Sequence, residues 1–181
     1  MPPERLPGGP TQDEIMAVSL LKLGLRRTDT VLEIGCGTGK VTAALASATE
    51  HVVSIDIRPE AIALARKNTA ELAGSTIEFT CAEATEFLQG GSITYDCAFV
   101  GGTKNLLAIL PVLAKKVRRT IVINAVLLAT VADAVAALQE LGLFVEVVQV
   151  QVSRSHDLAG SVMFKPIDPV WIIVGRGTAC S

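Results

Sequence analysis

Short apolar runs rich in β-branched residues alternate along most of this chain with alanine-rich segments whose apolar positions recur at helical spacing. Continuous apolar runs of this kind are typical of strands that are covered on both faces of a sheet. The alternation therefore predicts βα units built around five parallel strands. The predicted strands are 30–34, 52–55, 76–80, 95–100 and 120–124.

The alanine-rich segments predict helices that connect these strands. Pro59 suits the first position of a helix, while Gly74 and Gly142 suit helix C-terminal caps. Before the first strand, Thr11 and Glu14 form a capping-box pattern at the start of another helix. The predicted helices are 11–23, 38–48, 59–73, 84–88, 104–115 and 129–141.

The pattern changes after Gly142, where two β-rich runs, 144–153 and 170–175, have no helix between them. Two such runs predict an antiparallel pair, and we expect a loop to join them. The loop contains His156, Gly160, Pro166 and Pro169. The chain is thus predicted to be one α/β domain, 1–181, whose mostly parallel sheet ends in an antiparallel hairpin.

Composition, charge and cysteine usage exclude several classes of protein. The 181 residues are half hydrophobic and 19% charged, which fits a single globular domain. The net charge of −2 and the 4% aromatic content argue against nucleic-acid binding, and no apolar run approaches the roughly 18 residues of a membrane span. The cysteines form no CxxC pair, and the opening residues resemble no signal peptide. We therefore expect a reduced, cytoplasmic protein without a metal site.

The strongest functional signal is the segment 31–39, VLEIGCGTG, in which a buried strand runs through a glycine turn into a helix. Glycines at such a turn permit positive φ and let a ligand touch the backbone, while the helix N-terminus offers free N–H groups. A dinucleotide-binding fingerprint would need a glycine at position 40, where this chain has Lys40. The spacing is GxGxG instead. The alternative to a ligand-binding turn is a tight strand-to-helix turn that binds no ligand.

Further polar groups and glycines follow the later strands. Asp56 ends the second predicted strand, where a carboxylate can accept both hydroxyls of a ribose or, alternatively, cap the next helix. Gly101 and Gly102 follow the fourth strand, where their N–H groups can bind carboxylates or simply start a helix. Arg154 and His156 lie in the predicted loop beside the same edge, with solvation as their alternative role.

Together these features resemble the class I S-adenosylmethionine (SAM)-dependent methyltransferases. The resemblance implies SAM as cofactor and a Rossmann-like, seven-stranded sheet, with Asp56 at the ribose and Glu33 holding the turn or the amino group. Glu83 and Ala84 match the positions that contact adenine, although Glu83 also suits the first turn of a helix. The residues implied to pack against the methionine part are Gly35, Cys36, Gly37, Thr38 and Gly39.

Nearly the whole chain is similar to a narrower family, the decarboxylating precorrin or cobalt-precorrin C(15)-methyltransferases of cobalamin biosynthesis. The most specific match is Gly9-Pro10-Thr11 ahead of the first helix, because this triplet is not a general methyltransferase feature. The other matching segments are 33–39, 56–62, 100–102, 125–128 and 168–170.

The family resemblance implies methylation of C(15) with decarboxylation of an acetate side chain. Thr11 then joins the cofactor residues, while Arg154 and His156 assist with carboxylates and proton traffic. It also implies a homotetramer and a functional pairing with a separate C(5)-methyltransferase. The open alternatives are a class I methyltransferase acting on tRNA or another small molecule, and a non-catalytic nucleotide-binding module. The implied substrate-binding residues are Gly101, Gly102, Asn124 and Arg154.

Overall fold

The computed structural model describes residues 9–178, so the first eight residues of the segment considered for a signal peptide, and Cys180, lie outside the described residues. Within 9–178 the helices are α1 (Asp13–Leu23), α2 (Lys40–Ala48), α3 (Pro59–Thr69), α4 (Ala84–Gly90), α5 (Leu106–Lys116) and α6 (Leu128–Glu140). The strands are β1 (Thr30–Ile34), β2 (His51–Asp56), β3 (Thr76–Cys81), β4 (Tyr95–Val100), β5 (Val117–Ala125), β6 (Phe144–Val150), β7 (Ser153–Leu158), β8 (Ser161–Pro166) and β9 (Val170–Arg176).

The main sheet has seven strands in the order β3-β2-β1-β4-β5-β9-β6. Strands β1 to β5 are parallel, and β9 lies antiparallel between β5 and β6. The structure therefore confirms the predicted fold class, including the antiparallel pair near the C-terminus. It adds that β9, the last strand, is inserted inside the sheet while β6 forms its edge.

Helices cover both faces of this sheet, which explains why its strands are continuous apolar runs. On one face, Ile15 of α1 and Leu45 of α2 pack against Phe99 of the central strand β4. On the other face, Leu110 of α5 and Leu138 of α6 belong to a larger cluster with the central strands. No helix within the described range is long and apolar enough to cross a bilayer.

Several predicted helix ends were wrong, each for a local reason. Helix α2 begins at Lys40 rather than at 38, because Gly39 has a φ of 80°, which a right-handed helix cannot contain. Helix α3 ends at Thr69 and is followed by Ala70, so Gly74 is not its cap. Gly142 does follow α6 as predicted, with a φ of 70°.

The predicted capping box of α1 does not form. The helix begins at Asp13, and its N-cap, Gln12, makes no side-chain hydrogen bond to the first turn. The Glu14 carboxylate accepts hydrogen bonds from the guanidinium of Arg154. The acidic first turn of α1 thus binds a distant part of the chain.

The segment predicted as a loop is a second, two-stranded sheet formed by β7 and β8. Ala159 and Gly160 connect the two strands with φ values of 53° and 79°, the left-handed pair that a tight hairpin turn requires. Every residue of both strands is exposed. The prediction missed this hairpin because an exposed strand pair has no buried apolar face to give a period of two.

Candidate active site

A cavity of about 420 Å³ opens at the carboxyl edge of the parallel strands. Its volume lies within the range of small-molecule sites, and this edge is where open α/β sheets bind ligands. The lining comes mainly from the glycine turn after β1, the segment that leads into α1 and the end of β5. Predicted site residues in its lining are Thr11, Glu33, Gly35, Cys36, Gly37, Thr38, Gly101 and Asn124.

The glycine turn is held in place by close backbone contacts. Gly35 has a φ of 87°, and a Cβ added there would lie 2.6 Å from the amide nitrogen of Gly102. A Cβ added at Gly39 would lie 2.7 Å from the Cα of Ala65 in α3. Glycine is therefore required at both positions, by conformation and by space.

The glycine pair after β4 serves this packing. The amide groups of Gly101 and Gly102 both donate to the carbonyl of Ile34, at 2.9 and 3.0 Å. Gly101 lines the cavity, whereas Gly102 lies behind it against Gly35. The expectation that these N–H groups bind carboxylates is wrong for this structure, because a backbone acceptor already uses them.

Glu33 is a buried carboxylate beneath the turn. It has no exposed surface, and its Oε2 accepts hydrogen bonds from Thr42 at 2.5 Å and Ser54 at 2.6 Å. Burial raises the pKa of Glu33 to about 7. Glu33 is among the residues that line the cavity, and its buried Oε1 has no hydrogen-bond partner among the described residues. A buried acceptor left without a partner fits a ligand that brings a donor, such as an amino group.

Cys36, in the turn itself, is not suited to nucleophilic chemistry. The side chain is 4% exposed, and burial raises the pKa of its thiol to about 12. A thiol with such a pKa stays protonated near neutral pH and is inert. Cys36 therefore contributes packing and backbone to the turn.

Asp56 ends β2 and is 4% exposed. It accepts hydrogen bonds from the amide of Gly37 at 3.0 Å and from the backbone and guanidinium of Arg58 at 3.0 Å. Burial alone would raise the pKa of Asp56, but these hydrogen bonds lower it below its ordinary value. Arg58, rather than Asp56, lines the cavity. A charged carboxylate thus lies just behind the wall, joined to the glycine turn.

Glu83 and Ala84 lie at the start of α4, away from the main cavity. Glu83 is the N-cap of this helix, and its side chain accepts from the amides of Thr85 and Glu86 at 2.7 and 3.1 Å. Ala84 is buried in the larger core cluster. The structure therefore gives Glu83 a capping role, and its contact with adenine stays a prediction.

Asn124, at the end of β5, has a polar partner that the sequence did not reveal. Its Oδ1 accepts from Ser19 of α1 at 3.0 Å, while its buried Nδ2 has no partner among the described residues. Ser19 and Thr42 are each the single polar residue among the buried residues of their helices. That isolation is the signal that could have identified them.

Arg154 and His156 lie on the exposed strand β7, outside the main cavity. They line a second cavity of about 340 Å³, and Ile167 and Asp168 line both cavities. Arg154 donates to Glu14 at 2.6 Å, and the neighbouring Asp13 pairs with Lys40 at 2.7 Å. The first turn of α1 thus connects the start of α2 with the hairpin. Residues 9–178 contain no cluster of metal-ligating side chains.

Comparisons with known proteins point to one family. Residues 7–175 match the family described as the precorrin methyltransferase domain. A protein of Methanosarcina acetivorans, named probable cobalt-precorrin-6B C(15)-methyltransferase (decarboxylating), is 47% identical over 95% of this chain and 96% of its own length. A protein of the same name from Methanocaldococcus jannaschii is 32% identical over 90% of this chain and 88% of its own length.

Solved structures agree with these sequence matches. The precorrin 8W decarboxylase of Methanobacterium thermoautotrophicum superposes with a TM-score of 0.86 at 29% identity, over 92% of this chain and 91% of its own. A precorrin-6y C5,15-methyltransferase from Geobacter metallireducens has a TM-score of 0.86 at 27% identity, over 95% and 93%. A SAM-dependent O-methyltransferase from Thermotoga maritima, at 15% identity and a TM-score of 0.74 over 93% and 66%, shares the fold.

Proposed function

Because this chain belongs to the precorrin methyltransferase family, we propose that it is a SAM-dependent methyltransferase that methylates C(15) of a precorrin or cobalt-precorrin and decarboxylates an acetate side chain. The family match carries this proposal, because residues 7–175 include every residue that lines the cavity. Neither a tRNA substrate nor a non-catalytic role is favoured by any observation at the site.

The residues present fit SAM as the cofactor. SAM supplies a methyl group that is already activated as a sulfonium. The unpartnered Oε1 of Glu33 suits its amino group, and the close-packed turn from Gly35 to Gly39 suits its methionine part. Asp56 can receive the ribose hydroxyls if the Arg58 guanidinium moves aside, since Arg58 now lies between it and the cavity. We retain Thr11, Glu83 and Ala84 as predicted contacts.

For methyl transfer, the chain has to orient the two reactants and exclude water. Ile15, Val41 and Phe99 supply an apolar part of the cavity wall beneath the glycine turn. Asn124 also lines the cavity, and its buried amide Nδ2, which has no partner among the described residues, can donate to an acceptor on the substrate. No side chain is required as a nucleophile.

Decarboxylation breaks a carbon–carbon bond, and the electron pair passes into the conjugated macrocycle before a proton completes the product. Arg154 and His156 border the adjoining cavity, where a guanidinium can hold a carboxylate and an imidazole can deliver a proton. Since neither residue lines the main cavity, we propose that they act at the periphery of a large substrate. We propose these roles for the two residues.

We further propose a cytoplasmic homotetramer that works with a separate C(5)-methyltransferase. The exposed side chains of Val162 and Phe164 on β8, 72% and 68% accessible, favour association, because a two-stranded hairpin alone is marginally stable in water. The described cysteines are unpaired, as in reducing compartments. Sedimentation velocity tests the tetramer, and co-purification from a cytosolic fraction tests the pairing.

Mass spectrometry of the reaction tests the activity. We expect the purified protein and SAM to convert precorrin-6B or its cobalt form into a product that has gained one methyl group and lost one carboxyl group as CO₂. SAM with a deuterated methyl should shift the product mass accordingly, and a reaction without SAM is the control. An unchanged substrate mass, with S-adenosylhomocysteine (SAH) still bound by the protein, would overturn the proposal.

A further inference from the structure

The two faces of the hairpin β7–β8 carry different chemistry. In the register of the two strands, Arg154 lies directly opposite Lys165, and His156 lies opposite Met163. Because side chains alternate between the faces of a strand, Arg154, Lys165 and His156 share one face. At the intervening positions, the other face combines apolar Phe164 and Val162 with polar Ser155 and acidic Asp157. We call the face that carries Arg154 and Lys165 the cationic face, and Met163 and Leu158 lie on it as well.

The cationic face borders the cavity next to the active site. The second cavity is lined by Arg154, His156 and Lys165 of this face, by Ser155 and Pro166, and by Ile167 and Asp168, which also line the main cavity. Asp168 is the acidic residue of this lining, and no ion pair joins it to Lys165 or His156 within residues 9–178. A substrate that fills the main cavity and extends past 167–168 would meet this face.

The two cations of this face are compensated unequally, since Arg154 has an ion pair and Lys165 has none among the described residues. Like charges directly opposite each other in a hairpin destabilise the strand pair, and Arg154 and Lys165 are in that position. Glu14 of α1 neutralises Arg154, with nitrogen–oxygen distances of 2.6 and 3.3 Å, but both side chains are nearly half exposed. Exposed pairs of this kind are weak and easily exchanged. Lys165 has no carboxylate within ion-pair distance among the described residues.

We propose that Arg154, Lys165 and His156 form a docking site for the peripheral carboxylates of the substrate, and that Glu14 occupies this site until a substrate carboxylate displaces it. The inference rests on the proposed function, since it assigns a position to the side-chain carboxylates of a corrinoid substrate. Glu14 then acts as an internal competitor, and removing its charge strengthens substrate binding. Lys165 acts in the opposite sense, and removing its charge weakens binding.

Calorimetry with two forms of one corrinoid tests this site. The probes are a corrinoid polycarboxylate and the same corrinoid with all carboxylates esterified, each titrated into the SAH-loaded protein. We expect the polycarboxylate to bind at least about tenfold more tightly than the ester. Lys165→Gln should weaken polycarboxylate binding about three- to tenfold, and Glu14→Gln should strengthen it about two- to fivefold, with ester binding unchanged.

Matched controls are available elsewhere in the chain. Lys67→Gln removes an exposed lysine charge from α3, which packs at the opposite end of the sheet from the hairpin. Glu50→Gln removes the carboxylate of another exposed ion pair, with Arg27, at the start of β2. Neither control should change the affinity for either probe. Lys165 is exposed and the Glu14 side chain is nearly half exposed, so their variants should remain folded.

The outcomes separate this inference from the proposed function. Corrinoid binding that is equal for acid and ester, or unaffected by Lys165→Gln and Glu14→Gln beyond the two controls, would overturn the docking site alone. Binding of neither corrinoid form, while SAH still binds, would overturn the proposed function and the docking site with it. The expected pattern supports both.

Discussion

The glycine-turn wall and the hairpin β7–β8 border adjoining cavities but are constructed in opposite ways. In the wall, Gly35 packs directly against Gly102, and Glu33 has no exposed surface. In the hairpin every residue is exposed, and Arg154 reaches the body of the protein through an ion pair whose partners are nearly half exposed. The wall is fixed by the fold itself, whereas the hairpin leaves its polar and apolar groups available for other molecules.

This difference corresponds to the two kinds of ligand that the proposed function requires. A cofactor of constant shape is suited to a rigid wall whose groups are oriented before binding. A large substrate with many peripheral carboxylates is suited to an exposed cationic face that can exchange one counter-ion for another.

The largest expected difference is between alanine substitutions at two glycines with positive φ, Gly35 and Gly160. Gly35→Ala combines a left-handed backbone with a clash 2.6 Å from Gly102, and should lower the free energy of unfolding by at least about 3 kcal/mol. Gly160→Ala, in the hairpin turn, meets no atom within 4 Å and should cost at most about 1 to 2 kcal/mol. Urea unfolding measures both, and equal losses would contradict the comparison.

The next effect concerns the buried carboxyl of Glu33. Its pKa is about 7 in the folded protein and near the ordinary 4.5 when unfolded, so the folded state binds the proton more tightly. Stability should therefore fall as pH rises from 4.5 to 7, by up to about 3 kcal/mol, and then level off. Glu33→Gln should remove this slope, as urea unfolding at a series of pH values would show.

Glu50→Gln is the control for this measurement, because Glu50 is partly exposed and lies at the start of β2 rather than beneath the turn. It should keep the wild-type dependence on pH. If the free energy of unfolding of wild type and Glu33→Gln changed with pH in the same way, the Glu33 carboxyl would not have a raised pKa. The wall would then be as open to solvent as the hairpin, which would contradict the comparison.

The sequence predicted the rigid region better than the exposed one, for a physical reason. Strands such as β1 and β4 are buried on both faces, so their apolar runs and the glycine turn between β1 and α2 were recognisable locally. The strands β7 and β8 have no buried face, and their pairing through Ala159 and Gly160 was missed. Burial produces a pattern in the sequence that exposure does not.

Within the site, what escaped prediction depends on contacts between distant segments. The Glu33 carboxylate is bound by Thr42 of α2 and Ser54 of β2, and the parallel register of β1 with β2 places Ser54 opposite Glu33. The ion pair of Glu14 with Arg154 joins residues 140 positions apart, and no local pattern encodes it. The capping box was predicted for the same glutamate because that motif is recognised from the spacing of neighbouring residues alone.

The smallest expected effect is the coupling between Glu14 and Arg154 in the folding of the free protein. Both side chains are nearly half exposed, so a double-mutant cycle with Glu14→Gln and Arg154→Gln should give a coupling close to zero in urea unfolding. The same cycle for Asp29 and Arg119 should give a clearly larger value, because Asp29 is 4% exposed in its 2.7 Å ion pair.

The size of the Glu14–Arg154 coupling, compared with that of Asp29 and Arg119, shows whether a substrate carboxylate can displace Glu14. The hydrogen bond from Arg154 holds the pKa of Glu14 below its ordinary value, so the small contribution of this pair is present near neutral pH and is lost as the pH falls through that lowered pKa. A coupling as large as that of Asp29 with Arg119 would mean that the Glu14–Arg154 pair holds the hairpin against α1 as strongly as a buried ion pair does. A substrate carboxylate could not then replace Glu14, whereas a coupling near zero leaves the Arg154 guanidinium free to exchange partners at little cost to the fold.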